Sequence, residues 1–534
     1  MDQRNRFRLE SLGIFLFALL LFTLGIWDQQ PQGFDGRWAL FLQEMFRHGA
    51  SLFPTTYGQP YADYPGTATF FSFVFARLFG APNHLANVLP TALASAGVIA
   101  LLYRLLVPAS RQWALLSVLL TLLTTQLLEK SRSVCLDQMV ALLCVGSFYL
   151  LHSGERLGSR LRQLAVFPLF IFGFAIRGPL GLIEVCGVVC VYWALGNPGQ
   201  RVRQVLIHGL VGLALLAVCW WLLIKLARIS GGDGFAEEVF RMQVGGRLDE
   251  SGEPFYFYLQ LSLYRYFPVV PLALATLVAL RHRWRERFDE PVQLVVRLGA
   301  CGLMILIGLS VPHFKRAYYI LPMVPMFAAV AAYGLLQAQG WLGGVRRCYE
   351  GLVAALPTLC VVVVFVCRHG WQKHGYWPDV SLPLWVGVLV VLQLAALIAW
   401  RRIARLVSLS LIALVAQWLL LVVVVEPAKD LQFDTRQFVS QVEALRATRP
   451  GPLVFIDLGR DTWAVRYMMN LDHDEQPLFI GGRELGQLAD VPRPAWVVVA
   501  RKEVALLAGT SLEHQPPDFE GRLNDNPLLV FLLQ

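Results

Sequence analysis

The sequence predicts a polytopic α-helical membrane protein with a small α/β domain at its C-terminal end, and three observations predict it. Of 534 residues, 56% are hydrophobic and only 16% charged, with a mean hydropathy of +0.53, far from the composition of a soluble domain. Apolar runs of roughly 17–22 residues recur as far as Val425, the length that crosses about 30 Å of hydrocarbon. Beyond Val425 the pattern changes to short β-like runs alternating with helical stretches.

The apolar runs resolve into about thirteen spans, predicted at Leu12–Trp27, Asn87–Leu106, Trp113–Leu128, Cys135–Leu151, Leu164–Ile176, Leu180–Leu195, Val205–Leu226, Leu259–Leu280, Val295–Ser310, Tyr318–Leu336, Gly351–Val366, Leu384–Trp400 and Leu406–Val425. The fifth and sixth also read as one hairpin broken at Arg177-Gly178-Pro179. The first is not a cleavable signal, because bulky polar residues follow it where small ones would be needed. Two segments between spans are long enough to carry function, an outer loop over 28–86 and another over 227–258. The first has amphipathic stretches at Trp38–Phe46 and Thr69–Leu78 that fit the membrane surface.

Arginine placement sets the orientation. Arg4, Arg6 and Arg8 precede the first span, and alternate short connections carry Arg104/Arg111, Arg156/Arg160/Arg162, Arg201/Arg203, Arg281/Arg283/Arg285/Arg287, Arg346/Arg347 and Arg401/Arg402/Arg405. The positive-inside bias assigns these to the cytoplasm, and an odd span number sends the C-terminus to the periplasmic side of an inner membrane. The net charge of +9 therefore reflects topology and not a nucleic-acid surface. Nine scattered cysteines form no metal-ligand or disulfide spacing; a Cys135–Cys367 disulfide is the weaker alternative to two free thiols.

The chain thus divides into a transmembrane unit over 1–426 and an outer domain over 427–534. Within the latter, Leu453–Asp457 and Trp496–Ala500 read as strands, and Asp461–Met469 and Arg483–Leu488 as helical. The run Asp472-His473-Asp474-Glu475 fits a solvated loop better than a metal site.

Polar residues on the outer side are the candidate functional groups. Asp35 lies just beyond the first span, where an acid serves either chemistry on a lipid-linked substrate or the cap of the helix that follows. Asp137 opens the fourth span, where a carboxylate is costly unless paired, with Lys130 or Arg132, or serving as an N-cap, or functional. Arg177, followed by Gly178 and Pro179, fits an anion-binding corner as well as a snorkelling cation. Lys315 and Arg316 stand together at the lip of a span, ahead of Tyr318, Tyr319, Pro322 and Pro325. That depth suits a lipid phosphate, whether a substrate's or a bulk headgroup's.

In this order these segments resemble the membrane glycosyltransferases of the GT-C fold, especially aminoarabinose transferases and protein O-mannosyltransferases. The resemblance covers roughly residues 10–335 by motif. The family's acidic first-loop motif looks like Phe34-Asp35-Gly36-Arg37-Trp38-Ala39 with Gln43-Glu44-Met45 behind it, and its second acid like Asp137. Its Lys-Gly-Pro corner corresponds to Arg177-Gly178-Pro179, and its Lys-Arg-x-x-Tyr-x-Leu-Pro-x-x-Pro signature to Lys315 through Pro325. Two positions depart from the pattern: Phe34 stands where the first acid of a pair would be, and Tyr64 replaces a lysine.

The resemblance implies transfer of one sugar from a polyprenyl-phosphate donor to an envelope glycolipid, glycan or protein acceptor, with inversion. Asp35 and Asp137 would be catalytic. Lys315, Arg247, Arg177 and Tyr319 would meet the donor phosphate, with Arg316, Arg132 and Tyr64 as further candidates. No cofactor is expected to be required, although paired acids would also admit a divalent metal. The protein is expected to act as a monomer in the bilayer. Transfer of a whole lipid-linked glycan, or flipping of a lipid-linked sugar, are the alternatives.

Overall fold

The computed structural model describes residues 3–27, 29–33, 35–63, 65–196, 198–245, 252–281, 290–401 and 404–534. Each of the thirteen expected apolar segments is wholly or mostly helical. By length and composition alone, seven helices among the described residues suffice to cross a membrane, or eight if a bent pair counts as one. The other five fall short for local reasons. Helix α1 (Gln3–Thr23) carries Arg6, Arg8 and Glu10 in its first half. The third segment breaks at Thr124 into α5 (Arg111–Leu123) and α6 (Thr125–Lys130). The fifth and sixth form the short hairpin α9 (Val166–Arg177) and α10 (Pro179–Ala194). The tenth is the short apolar helix Leu321–Leu336.

The α9–α10 hairpin turns at Gly178, whose φ of 64° is a left-handed value that a side chain would resist. The two helices then pass very closely, since a Cβ on Gly181 would lie 2.2 Å from the Gly173 carbonyl oxygen. Helix α4 (His84–Leu106) packs between α1 and α7 (Leu136–Leu157), and α10 against α11 (Pro198–Phe240). The expected outer loop from 227 is instead helical as far as Phe240, with its break at Gly232. The eighth segment bends by 107° between Phe257–Tyr264 and Val269–Leu280, beside Pro268, which has no N–H to continue the helix.

The first outer loop folds over the C-terminal domain. Helix α2 (Asp35–His48) is followed by a two-strand hairpin, β1 (Thr55–Thr56) and β2 (Gln59–Pro60), and by α3 (Thr67–Phe79). The buried Glu44 carboxylate accepts from the turn N–H groups of Tyr57 (2.6 Å) and Gly58 (3.3 Å), which fixes the hairpin to α2. Contrary to the surface-helix expectation, α2 buries Leu40, Phe41, Leu42 and Met45 in protein. Helix α3 does keep an exposed apolar face, with Phe70, Phe71, Val74 and Leu78.

The C-terminal domain is a five-stranded sheet in the order β4-β3-β5-β7-β6, built from β3 (Leu453–Ile456), β4 (Leu478–Ile480), β5 (Ala495–Ala500), β6 (Phe519–Leu523) and β7 (Asn526–Leu533). The first three are mutually parallel and β7 runs antiparallel to β5 and β6. Both faces are covered. Leu453 and Phe455 face one core with Leu40 and Tyr57 of the first outer loop, and Val454 and Ile456 face the other. All nine cysteines are free thiols, Cys135 and Cys367 included.

Candidate functional site

A cavity of about 810 Å³ opens where the first outer loop, the connections after α6 and α9, the Phe314–Tyr319 segment and the C-terminal domain meet. Asp35, Asp137, Arg177, Arg316 and Tyr319 all line it, together with Lys130 and Arg241. These side chains come from segments far apart in sequence, all assigned to one side by the arginine pattern.

Asp35 is the first residue of α2 and only 6% exposed. The Val134 N–H donates to its Oδ2 at 3.2 Å, so the carboxylate braces the connection between α6 and α7. Burial lifts its carboxyl to about 6, opposed by the Lys130 charge and the Val134 hydrogen bond. Asp137 is 1% exposed, and its Oδ1 accepts from Arg177 Nε at 3.0 Å. Of the partners expected for it, neither Lys130 nor Arg132 is the one bonded. Arg177 in turn lies over the Tyr319 ring, 4.4 Å from the centroid, and the Lys130 ammonium lies 5.4 Å from the neighbouring Tyr318 ring.

Two of the expected phosphate ligands point elsewhere. Lys315 Nζ donates to the Glu253 carbonyl at 2.8 Å and does not line the cavity. Arg132 forms a two-pronged pair with Glu426, with both N–O distances 2.6 Å, and donates to the Leu21 carbonyl at 2.8 Å. It is a buried clamp between α1 and the last residue before the C-terminal domain. Arg247, Tyr64 and Phe34 lie outside the described residues. The segments next to the first two are joined, since Gln243 Nε2 donates to the Asp63 carbonyl.

Sequence reasoning passed over several lining groups. Arg241 lies within the long segment over 227–258 and Asp63 next to Tyr64, and neither stands out by type or spacing. The C-terminal domain adds Asp461, Trp463, Arg466, Asn524 and Asp525, which no local pattern links to residue 35. Glu184 on α10 is 4% exposed, close enough to Asp137 and Arg177 to feel their charges, and neither carboxyl oxygen meets a hydrogen-bonding partner among the described residues. A lone acid inside an apolar run was the signal available for it. No group of three or more His, Cys, Asp or Glu side chains converges as a metal site among the described residues. The Asp472–Glu475 run is an ion-paired contact, with Asp474 bound to Arg47 and His48 of α2 and Glu475 to Arg446.

The fold that carries this cavity is shared with solved proteins. ArnT from Cupriavidus metallidurans bound to undecaprenyl phosphate superposes with a TM-score of 0.74 over 97% of both chains, at 17% identity. Its apo state gives 0.70 at 15% identity over the same shares. The fold is GT-C. The apo oligosaccharyltransferase of Archaeoglobus fulgidus shares it less fully, with a TM-score of 0.53 at 10% identity over 92% of this chain and 70% of that one. Residues 63–223 match the family model for dolichyl-phosphate-mannose-protein mannosyltransferase. No curated protein matches the chain by sequence. Within this GT-C chain the family-model match contains Asp137 and Arg177, while Asp35 and the Lys315–Pro325 segment lie outside it.

Proposed function

We propose that this chain is an integral-membrane glycosyltransferase that moves a single sugar from a polyprenyl-phosphate donor to an envelope glycolipid, glycan or protein. The observation that carries the reading is one cavity in which the buried Asp35 faces the cations Lys130, Arg177, Arg241 and Arg316. The ArnT structure with undecaprenyl phosphate supports a lipid-phosphate donor. In the reaction, an acceptor hydroxyl oxygen forms a bond to the anomeric carbon as the bond from that carbon to the phosphate oxygen breaks, and the configuration inverts. The hydroxyl proton passes to the Asp35 carboxylate. Charge collects on the departing phosphate, where Arg177 and Arg316 offer forked donors and Lys130 a point charge. Asp137 holds Arg177 in place. The active face is the periplasmic one, with the N-terminus in the cytoplasm and the enzyme monomeric in the inner membrane.

The test is transfer by the protein purified in detergent, with candidate polyprenyl-phosphate sugars chosen from mass spectrometry of envelopes with and without it. Transfer by wild type and its loss in Asp35→Asn, with undecaprenyl phosphate still bound, is the expected result. Undiminished transfer by Asp35→Asn would remove Asp35 from the chemistry.

A further inference from the structure

The lining of the cavity has two origins in the chain. The transmembrane unit supplies the cations Lys130, Arg177, Arg241 and Arg316 among the acids Asp35, Asp63, Glu129 and Asp137, whereas the C-terminal domain supplies Asp461, Trp463, Arg466, Asn524 and Asp525 with Lys429 and Phe433. The cations of the first set suit a phosphate. The second is mixed: two aromatic rings, one guanidinium, one ammonium, two carboxylates and one amide. It offers both donors and acceptors around an apolar face, and little net charge.

The C-terminal set is built and not incidental. The Arg466 guanidinium is held over the Trp463 ring, 4.4 Å from its centroid. Its Nε and Nη1 are buried and meet no hydrogen-bonding partner among the described residues. A buried donor left unmatched costs about 1–3 kcal/mol, so two on one side chain at a cavity wall mark a place where a ligand supplies the acceptors. Asn524 is held in a left-handed turn (φ 63°) with its N–H on the Asp434 carbonyl at 2.7 Å, and its side-chain amide donates to Asp525 Oδ1 at 2.6 Å. The stem of Arg466 also packs near the start of α2. A Cβ on Gly36, next to Asp35, would lie 3.8 Å from Arg466 Cγ and 3.0 Å from Met469 Sδ.

We infer that the Trp463–Arg466 wall is the acceptor subsite and that it binds a saccharide ring, so that the acceptor is a glycan or glycolipid and not a polypeptide. This rests on the transferase reading and names the acceptor class for that site. A pyranose stacks its C–H face on Trp463 while its hydroxyls accept from Arg466 and donate to Asp461 or Asp525. The same ring then presents a neighbouring hydroxyl to Asp35, and the donor phosphate stays on the cations of the transmembrane unit.

The experiment places a photoreactive benzoylphenylalanine at Phe433, which lines the same cavity, in the full-length protein in its native membrane. Adducts are then identified by mass spectrometry. A saccharide-bearing adduct is expected, falling about tenfold or more in Trp463→Ala and Arg466→Ala and within about threefold of the parent in Trp463→Phe, which keeps an aromatic face. A polypeptide adduct, a lipid adduct without sugar, no adduct, or a saccharide adduct indifferent to Trp463→Ala would overturn the inference. Binding of undecaprenyl phosphate by the same purified variants separates the two readings. Its retention confines any failure to the acceptor subsite, while its absence from wild type would defeat the transferase reading itself.

Discussion

Asp35 combines two properties that pull against each other. It is buried, which disfavours its charge, and it lies near the Lys130 ammonium and accepts from the Val134 N–H, which favour it. The outcome is a carboxyl at about 6, basic enough to take a proton yet ionised at neutral pH. Transfer is therefore expected to rise with pH through about 6 and then level off, read as a pH–rate profile of the purified enzyme; a profile flat between about pH 5 and 8 would exclude titration of Asp35 as the limiting step. Asp35→Asn should lower transfer about a hundredfold or more. The sign for stability is opposite. The folded-state value is raised above the ordinary 3.8, so the protonated form is favoured by folding and stability is lost as pH rises from about 4 through about 6. Asparagine escapes that loss, so Asp35→Asn should raise the free energy of unfolding at pH 7.5, by up to about 3 kcal/mol, and hardly change it at pH 4. At this scale the sequence singled out Asp35, Asp137 and Arg177, which the fold brings to one cavity, because a charged residue at a span end stands out against apolar neighbours. It did not give the direction of Lys315 and Arg132, because adjacency to a span end does not say which way a long side chain turns: Lys315 reaches a backbone carbonyl and Arg132 a distant glutamate.

Among the elements, the α9–α10 hairpin has the most demanding geometry. Gly178 combines φ 64° with a side-chain neighbour, since a Cβ there would lie 2.7 Å from Gln243 Oε1. Gly178→Ala is expected to cost on the order of 1–3 kcal/mol in thermal unfolding and to weaken undecaprenyl phosphate binding, because Arg177 is the preceding residue. An unchanged midpoint and affinity would show the turn to be more compliant than its dihedrals imply. The Arg177–Asp137 pair is buried on both sides, with 2% of each side chain exposed. Arg177→Ala leaves a buried carboxylate without its cation, a loss of about 3–5 kcal/mol. Adding Asp137→Asn should recover much of that stability while transfer stays low, measured by unfolding and by turnover in the same samples. Helix existence was legible from the length of the apolar runs in the thirteen segments. Where they break was less so: Thr124 and the bend before Pro268 depend on packing against neighbours as well as on local propensity.

Across the whole molecule, the first and last parts of the chain are laced together, and no sequence pattern announces it. Gln29, Gln30 and Gln32 donate to Glu426, Asp434 and Asp430, and Leu40 and Tyr57 enter the core of the C-terminal sheet. Contacts spanning some four hundred positions leave no periodicity to read, which is why the C-terminal half of the cavity wall had to come from the fold. Arg132 is the buried centre of this lacing, tied to both Glu426 and the Leu21 carbonyl. If it is a clamp, removing it unpairs Glu426, which is 12% exposed at its side chain, and costs about 3–5 kcal/mol. The loss should appear as earlier unfolding and as faster amide exchange over residues 426–436, with undecaprenyl phosphate affinity within about threefold of wild type, since Arg132 does not line the cavity. If it is a phosphate ligand, affinity falls by about tenfold or more and exchange is unchanged. Arg132→Met with Glu426→Met sharpens the choice: an apolar pair of similar volume restores the clamp's stability and leaves donor binding intact only if the guanidinium never met the phosphate.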